Sequence, residues 1–298
     1  MTARGRRSPG KGQPNVEPSP PHPDAIPVTR VSTEFHLRGI DLLTRIEADL
    51  TDALILMTLV RDQMRSPRRG AGSVRELSRQ LDIPYETVRR RVQELVSSGR
   101  CVMKDEGVIV PPAVLRGRRV TTFLRKIYVN AVRLLTDLTR IEVAAFASTS
   151  RRPVASGRLA AEQRTIALAA TGLLLAGLRA LRAFWGGDVM RGMVYTAIWT
   201  ANVKHVTNRA PAADRGVLPD SQRVPVSVLA ISQSLRLPYE TVRRHAEAMV
   251  KEGMCIRKGR RGLVVPTTFI HRITAGPAIG HRLVLDFLAD LRSVGVRL

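Results

Sequence analysis

The heptapeptide PYETVRR occurs twice in this chain, at residues 84–90 and 238–244. The similarity extends well beyond it: residues 73–112 align with residues 227–267, with one residue inserted in the second copy. A repeat of this length is a unit of supersecondary structure, so it constrains the fold more strongly than composition does. The sequence therefore predicts a tandem duplication of one structural unit.

The repeated segment predicts three helices followed by a β-hairpin. Apolar residues recur at helical spacing over 49–60 and again after Ser73, which together with Glu76 forms a capping-box pattern. A third helix is expected from about Tyr85 to Ser97, after a short break that ends in proline. Residues 101–111 alternate and turn at a glycine, which is typical of a two-stranded hairpin.

This order of elements, carried by SVRELSRQLDIPYETVRRRVQELVSSG and SVLAISQSLRLPYETVRRHAEAMVKEG, resembles bacterial winged helix-turn-helix transcription regulators of the GntR or MarR sort. The resemblance covers roughly residues 49–143 and 188–296. It implies a mainly α fold with small β-hairpin wings, made of two winged helix-turn-helix domains related by internal duplication. In such domains the third helix enters the DNA major groove by its N-terminal end.

The sequence predicts five segments. They are a disordered, basic, Pro-rich tail (1–32), an N-terminal winged helix-turn-helix repeat with flanking helices (33–146), a linker (147–158), an apolar interdomain helix (159–187) and a C-terminal repeat (188–298). The longest apolar stretch, 166–178, is shorter than the roughly 20 residues needed to cross a bilayer, so we expect no membrane span.

The charge of the chain favours a polyanionic partner. Its formal net charge is +23, from 48 basic and 25 acidic residues, and nearly all of the basic residues are arginine. An arginine-rich genome would explain arginine in place of lysine, but not the excess over acidic residues. Because the guanidinium group donates two parallel hydrogen bonds to phosphate or guanine, double-stranded DNA is the expected partner.

The candidate DNA contacts lie on the third helices and the wings. Glu86 has three possible roles: accepting from a cytosine amine, orienting an arginine, or favouring the helix N-terminus. The more basic second wing is expected to bind DNA more strongly, since Asp105 and Glu106 in the first wing repel phosphate. The recognition-helix residues are Tyr85, Glu86, Thr87, Arg89, Arg90, Gln93, Tyr239, Glu240, Thr241, Arg243 and Arg244, and the wing residues are Lys104, Arg257, Lys258, Arg260 and Arg261.

No sequence pattern indicates catalysis, a metal site or a cofactor. The six histidines are scattered without ligand spacing, and the two cysteines occupy equivalent positions that favour core packing. A small-molecule pocket between helices near Trp185 and Trp199 is compatible with the sequence, although no residue identifies an effector. We expect a cytoplasmic, nucleoid-associated protein, for which further homo-oligomerisation is possible.

Three functions fit these features. The first is a transcription regulator, a repressor, that reads two similar half-sites with two recognition helices per chain. The second is a plasmid-type replication or partition initiator with two winged-helix domains, and the third is a winged-helix adaptor that binds protein. The arginine pairs in both copies favour DNA over protein, and two-fold geometry would place the half-sites about one helical turn apart.

Overall fold

The computed structural model describes residues 25–66, 72–146, 159–205, 217–260, 262–273 and 275–298. Over these residues the chain is mainly helical, with small antiparallel sheets. The first 24 residues of the predicted tail, the predicted linker 147–158 and Arg261 lie outside the described residues. We call residues 25–146 the first copy and residues 159–298 the second copy.

The first copy contains six helices and one hairpin among its described residues. The helices are α1 (Ala25–Leu43), α2 (Leu50–Arg65), α3 (Val74–Leu81), α4 (Tyr85–Ser97), α5 (Pro112–Leu115) and α6 (Arg118–Arg140), and the hairpin strands are β1 (Val102–Lys104) and β2 (Gly107–Ile109).

The described part of the second copy repeats this order. Its helices are α7 (Ala161–Phe184), α8 (Val189–Val203), α9 (Val228–Leu235), α10 (Tyr239–Lys251), α11 (Thr267–Arg272) and α12 (Ala275–Ser293), and its strands are β3 (Val226–Ser227), β4 (Ile256–Lys258) and β5 (Gly262–Val264). The strand order of its sheet is β3-β5-β4, all antiparallel. In the first copy a single bridge from Gly72 to Val108 takes the place of β3.

The first helix corrects the predicted boundary of the tail. Residues 25–32, which the sequence predicts to be the end of a disordered tail, form the first turns of α1. Val28, Val31 and Phe35 are buried at helical spacing, and α1 packs against α6 and α12. These apolar residues are separated by polar residues and follow Pro27, so the local sequence predicts the helix only weakly. Packing against helices from distant parts of the chain stabilises it.

Local signals in the repeat predicted the elements well. The hairpin turns between Lys104 and Gly107, and α4 has the bounds expected from the sequence. The hydroxyl of Ser73 accepts from the backbone N–H of Glu76 at 3.1 Å. The Glu76 carboxylate accepts from Gln80 at 3.4 Å, so only half of the predicted capping box forms.

The two copies share one core. Helix α1 packs against α6 of its own copy and against α8, α9 and α12 of the second copy. Helix α7 makes the matching set of contacts, with α12 of its own copy and with α2, α3 and α6 of the first. Since each of these main cross-copy helix contacts has its counterpart, the arrangement of the helices has approximate two-fold symmetry about the contact between α1 and α7.

Two glycines allow α1 and α7 to approach closely. A β-carbon on Gly39 would lie 2.6 Å from Leu174 Cδ1, and one on Gly177 would overlap the imidazole of His36. His36 and Leu174 each lie three residues before the glycine of their own helix, so the contact is reciprocal. Larger residues at either glycine would force the helices apart.

Helix α7 lies within the predicted interdomain segment 159–187. Its 24 residues are long and apolar enough to cross a membrane, but more than half of the apolar window is buried inside the protein. Helices α1, α2, α3, α6, α8 and α12 all pack against it. These contacts explain its apolar composition as that of a core helix.

Candidate nucleic-acid interface

The turns that precede α4 and α10 have the same geometry. Ser78 donates its hydroxyl to the carbonyl of Ile83 at 2.7 Å, and Ser232 donates to Leu237 at 2.7 Å. The residues that end α3 and α9, Asp82 and Arg236, both adopt the left-handed conformation, with φ of 54° and 55°. Each turn therefore sets its following helix in the same orientation.

The first turns of α4 and α10 are open to a ligand. Pro84 and Pro238 occupy the cap positions, and neither helix has a side-chain hydrogen bond at its N-cap. Tyr85 and Tyr239, the first helical residues, are 41% and 48% exposed. The uncapped backbone N–H groups and the helix dipole favour an anion such as phosphate at this end.

The apolar face of each helix turns these tips outward. In α4 the buried residues are Val88, Val92 and Leu95. In α10 the corresponding buried residues are Val242, Ala246 and Met249. The predicted contact residues Glu86, Arg89, Arg90, Gln93, Glu240 and Arg244 are exposed, whereas Thr87, Thr241 and Arg243 are half-buried.

Glutamate orients one arginine of each pair. Glu86 accepts from Arg89 Nε at 3.0 Å, and Glu240 accepts from Arg243 in the same way. Glu247 also accepts from Arg243 Nη1, at 2.5 Å. The hydrogen bond from Arg243 lowers the pKa of Glu240, and the reciprocal bonds raise the pKa of Arg243. Of the roles considered for Glu86, this geometry favours the orientation of an arginine.

The second arginine of each pair has a different environment. Arg90 and Arg244 are exposed, and neither makes a hydrogen bond or ion pair with any residue that the structure describes. Their guanidinium groups therefore keep their full donor capacity for a partner.

Arg91, by contrast, is used inside the protein. Its guanidinium group lies 2.7 Å from Asp49 and 3.6 Å from Asp52 of the α2 start, and 3.0 Å from Glu94. Burial opposes its charge, but the three carboxylates outweigh this effect and raise the pKa of Arg91. Arg91 is not one of the predicted DNA contacts, and the second copy has His245 in its place.

The two wings carry different charge. Strand β1 is fully exposed and ends at Lys104, which is followed by exposed Asp105 and Glu106. Strand β4 is also exposed, and it is followed by a turn containing the exposed Arg260. Arg257 and Lys258 lie on β4, and Lys258 Nζ donates to the carbonyl of Asp220 at 3.2 Å. The second wing is therefore the more basic of the two over its described residues.

A side-chain amide near the end of α2 and another near the end of α8 hold the wings in place, a feature that sequence analysis missed. Asn202, which is fully buried, donates to the carbonyls of Val224 and Leu263 at 2.8 and 3.0 Å and accepts from the N–H of Val265 at 2.9 Å. Gln63 exchanges two hydrogen bonds with Val110, at 3.1 and 3.0 Å. Asn202 on α8 and Gln63 on α2 therefore occupy equivalent positions in the two copies.

The cysteines fill the core beside the wings. Cys101 and Cys255 are both buried, and burial raises the pKa of each thiol to about 12. The thiols are therefore protonated at neutral pH and poorly nucleophilic. Within the described ranges, no group of three or more His, Cys, Asp or Glu residues could hold a metal ion.

No protein-family model, curated protein or solved structure matches this chain.

Proposed function

We propose that this chain is a sequence-specific regulator of transcription, a repressor, that binds double-stranded DNA. In this proposal each set of three helices and a hairpin acts as a winged helix-turn-helix, and α4 and α10 enter successive major grooves. One observation carries the proposal: two copies of the same exposed tip, PYETVRR, project from a frame whose contacts are matched about an approximate two-fold axis.

Packing does not explain why the exposed helix tips have the same sequence in the two copies. Exposed side chains are free to vary, whereas core positions below them have changed between the copies, from Val92 to Ala246 and from Leu95 to Met249. A shared binding target accounts for identical tips on altered cores. The chain would then be a covalent counterpart of a homodimeric repressor, with half-sites about 34–36 Å apart.

The environments of the two arginines at each tip suggest that they have different roles in DNA binding. Arg90 and Arg244, which are unpaired within the described structure, are the best placed to donate two hydrogen bonds to a guanine, worth about 1–3 kcal/mol of discrimination. Arg89 and Arg243 are held by glutamates and present the remaining donors in a fixed direction. Tyr85, Tyr239 and the N–H groups of the first turns would contact phosphate.

The wings would add affinity that does not depend on sequence. Arg257, Lys258 and Arg260 would contact phosphates beside the second half-site, whereas Asp105 and Glu106 weaken such contacts in the first copy. A DNA-binding repressor of this kind would act at the nucleoid in the cytoplasm, where occupancy of its operator would exclude the transcription machinery.

Selection of bound duplexes from a random DNA pool tests the proposal. The intact chain should recover two related half-sites at a fixed spacing, and Arg90→Ala with Arg244→Ala should lose them. A matched control is Arg140→Ala with Arg282→Ala, which removes the same charge from exposed sites on α6 and α12 and should recover the original motif. Recovery of no common sequence by the intact chain would contradict the proposal.

A further inference from the structure

An apolar cavity lies between the two copies, beside the second winged unit. Its volume is about 280 Å³, and its walls come from α1, α7, α8, the start of α12 and residues 217–223. Trp185, Tyr195 and Trp199 contribute aromatic surface to it. The volume is close to the lower end of the range of about 300–1,000 Å³ that is typical of small-molecule sites.

The polar part of the wall is cationic. Among the described residues that line it, Arg30, His36, Tyr195 and Arg223 are ionisable and none is Asp or Glu. Two guanidinium groups without a carboxylate in the described wall disfavour cations and favour a molecule with one negative group on an apolar body.

Arg223 is the group that makes this site specific. Its side chain is only 1% exposed, and both Nε and Nη2 donate to the carbonyl of Leu218, at 3.0 and 2.7 Å. Nη1 is buried and has no hydrogen-bond partner in the described structure. Leaving a buried cationic donor unpaired costs free energy, and a carboxylate is the strongest available acceptor for it.

The ion pair of Arg223 within the protein does not satisfy Nη1. Asp220 Oδ1 lies 3.3 Å from Nε, and the same oxygen also accepts from Thr267. Burial lowers the pKa of Arg223, and the nearby Asp220 opposes this effect only in part.

We propose that this cavity binds a small apolar monocarboxylic acid. The carboxylate would accept from Nη1 of Arg223 once the guanidinium group turns toward the cavity, and the apolar body would pack against Trp185 and Trp199. The site is independent of the DNA-binding tips, so it extends the proposed function and does not rest on it.

Tryptophan fluorescence provides a direct test, because Trp185 and Trp199 are the two tryptophans of the chain and both line the cavity. The full chain would be titrated with decanoate, decanol and decylamine, which share one apolar tail. Decanoate should give a saturable change in emission and bind at least tenfold more tightly than decanol. Decylamine should not bind.

Two variants locate the binding site. Arg223→Gln should weaken decanoate at least tenfold, and Thr196→Phe, which places a ring in the cavity, should weaken both decanoate and decanol. Arg282→Gln removes an exposed charge from α12, which borders the cavity, and should bind decanoate normally. Thermal melts followed by circular dichroism establish that each variant is folded.

Equal affinity for decanoate and decanol would overturn the proposal, as would unchanged decanoate binding in both cavity variants. The absence of a saturable response to millimolar decanoate would do the same. No DNA enters this assay, so its outcome is separate from that of the duplex selection.

Discussion

Adjacent arginines at each helix tip differ in their bonding. Arg89 and Arg243 are paired with glutamates three residues earlier, whereas Arg90 and Arg244 are unpaired within the described structure. The glutamate pairs are exposed and contribute little to stability, so their orienting effect is the more important consequence.

The first prediction compares these pairs on the selected duplex. Arg90→Ala with Arg244→Ala should weaken binding about 30-fold or more and relax base preference, because up to two guanine contacts are lost. Arg89→Ala with Arg243→Ala should weaken binding less, since these side chains already donate to carboxylates. Fluorescence anisotropy at fixed salt measures both, and the reverse order of effects would contradict the assignment.

The second prediction concerns His36, which lies at the crossing of α1 and α7. Its Nδ1 is 2.7 Å from the carbonyl of Ser32 and its Nε2 is 3.3 Å from that of Leu173. Burial lowers the pKa of His36, and the hydrogen bonds to the carbonyls of Ser32 and Leu173 oppose this shift without cancelling it. Below about pH 6.5 the unfolded chain binds a proton that the folded chain does not. The free energy of unfolding therefore decreases as the pH is lowered, by at most about 1.4 kcal/mol per pH unit.

Replacing His36 by leucine should remove this contribution. Leucine is the residue at the equivalent place in α7, Leu174, so the substitution suits the packing. Between pH 7 and 5 the melting temperature of His36→Leu should fall less than that of the parent chain. Parallel slopes for the two proteins would show that His36 does not titrate on unfolding in this range.

At the level of elements, the wings are held by hydrogen bonds from α2 and α8 as well as by the pairing of their own strands. Asn202 makes three hydrogen bonds in a fully buried place, and Gln63 makes two in a half-buried one. The third prediction is that Asn202→Ala lowers the free energy of unfolding by about 3 kcal/mol, because three backbone groups, two of them buried, lose their partners. Gln63→Ala should cost less. Urea unfolding distinguishes them, and similar small losses would contradict the proposed anchoring.

The fourth prediction concerns the charge of the wings. In the full chain, Arg257→Ala with Lys258→Ala should reduce the slope of log K against log salt by about 2, because two phosphate contacts are lost. Lys104→Ala should reduce it by at most about 1. Arg140→Ala with Arg282→Ala, which removes two charges elsewhere, provides the control and should leave the slope unchanged. An equal or larger effect of Lys104→Ala would contradict the unequal roles of the wings.

Considered as a whole molecule, the two copies pack around a shared core. Helices α1 and α7 each pack against three helices of the other copy besides each other, and ion pairs also cross between the copies, from Arg65 to Asp290 and from Arg236 to Asp41. A separated copy would expose the apolar surface that its partner covers.

The fifth prediction follows from this shared core. Residues 1–150 and 151–298, expressed separately, should be dimeric or aggregated, because two like copies can cover each other's exposed helices. Mixed in equal amounts, they should form a one-to-one complex with cooperative thermal unfolding. Light scattering after size exclusion measures the mass, and a stable, cooperatively folded monomer of either fragment would contradict a shared core.

The sequence by itself determined the repeated unit, the bounds of α4, the hairpin turn before Gly107 and the exposure of the PYETVRR tips. These features depend on helical and strand periodicity and on proline and glycine, all of which act over a few neighbouring residues. The predicted DNA contacts that lie in the described residues fall on those tips and wings for the same reason.

Only the tertiary structure decided where α1 begins, how the copies exchange contacts, which arginine of each pair stays unpaired, and where the cavity forms. Each depends on side chains brought together from distant parts of the chain or on one rotamer among several. His36 meets the carbonyl of Leu173 across 137 residues, and Asn202 meets Leu263 across 61. No local sequence pattern predicts such long-range contacts, because they are fixed by the packing of whole helices around a common core.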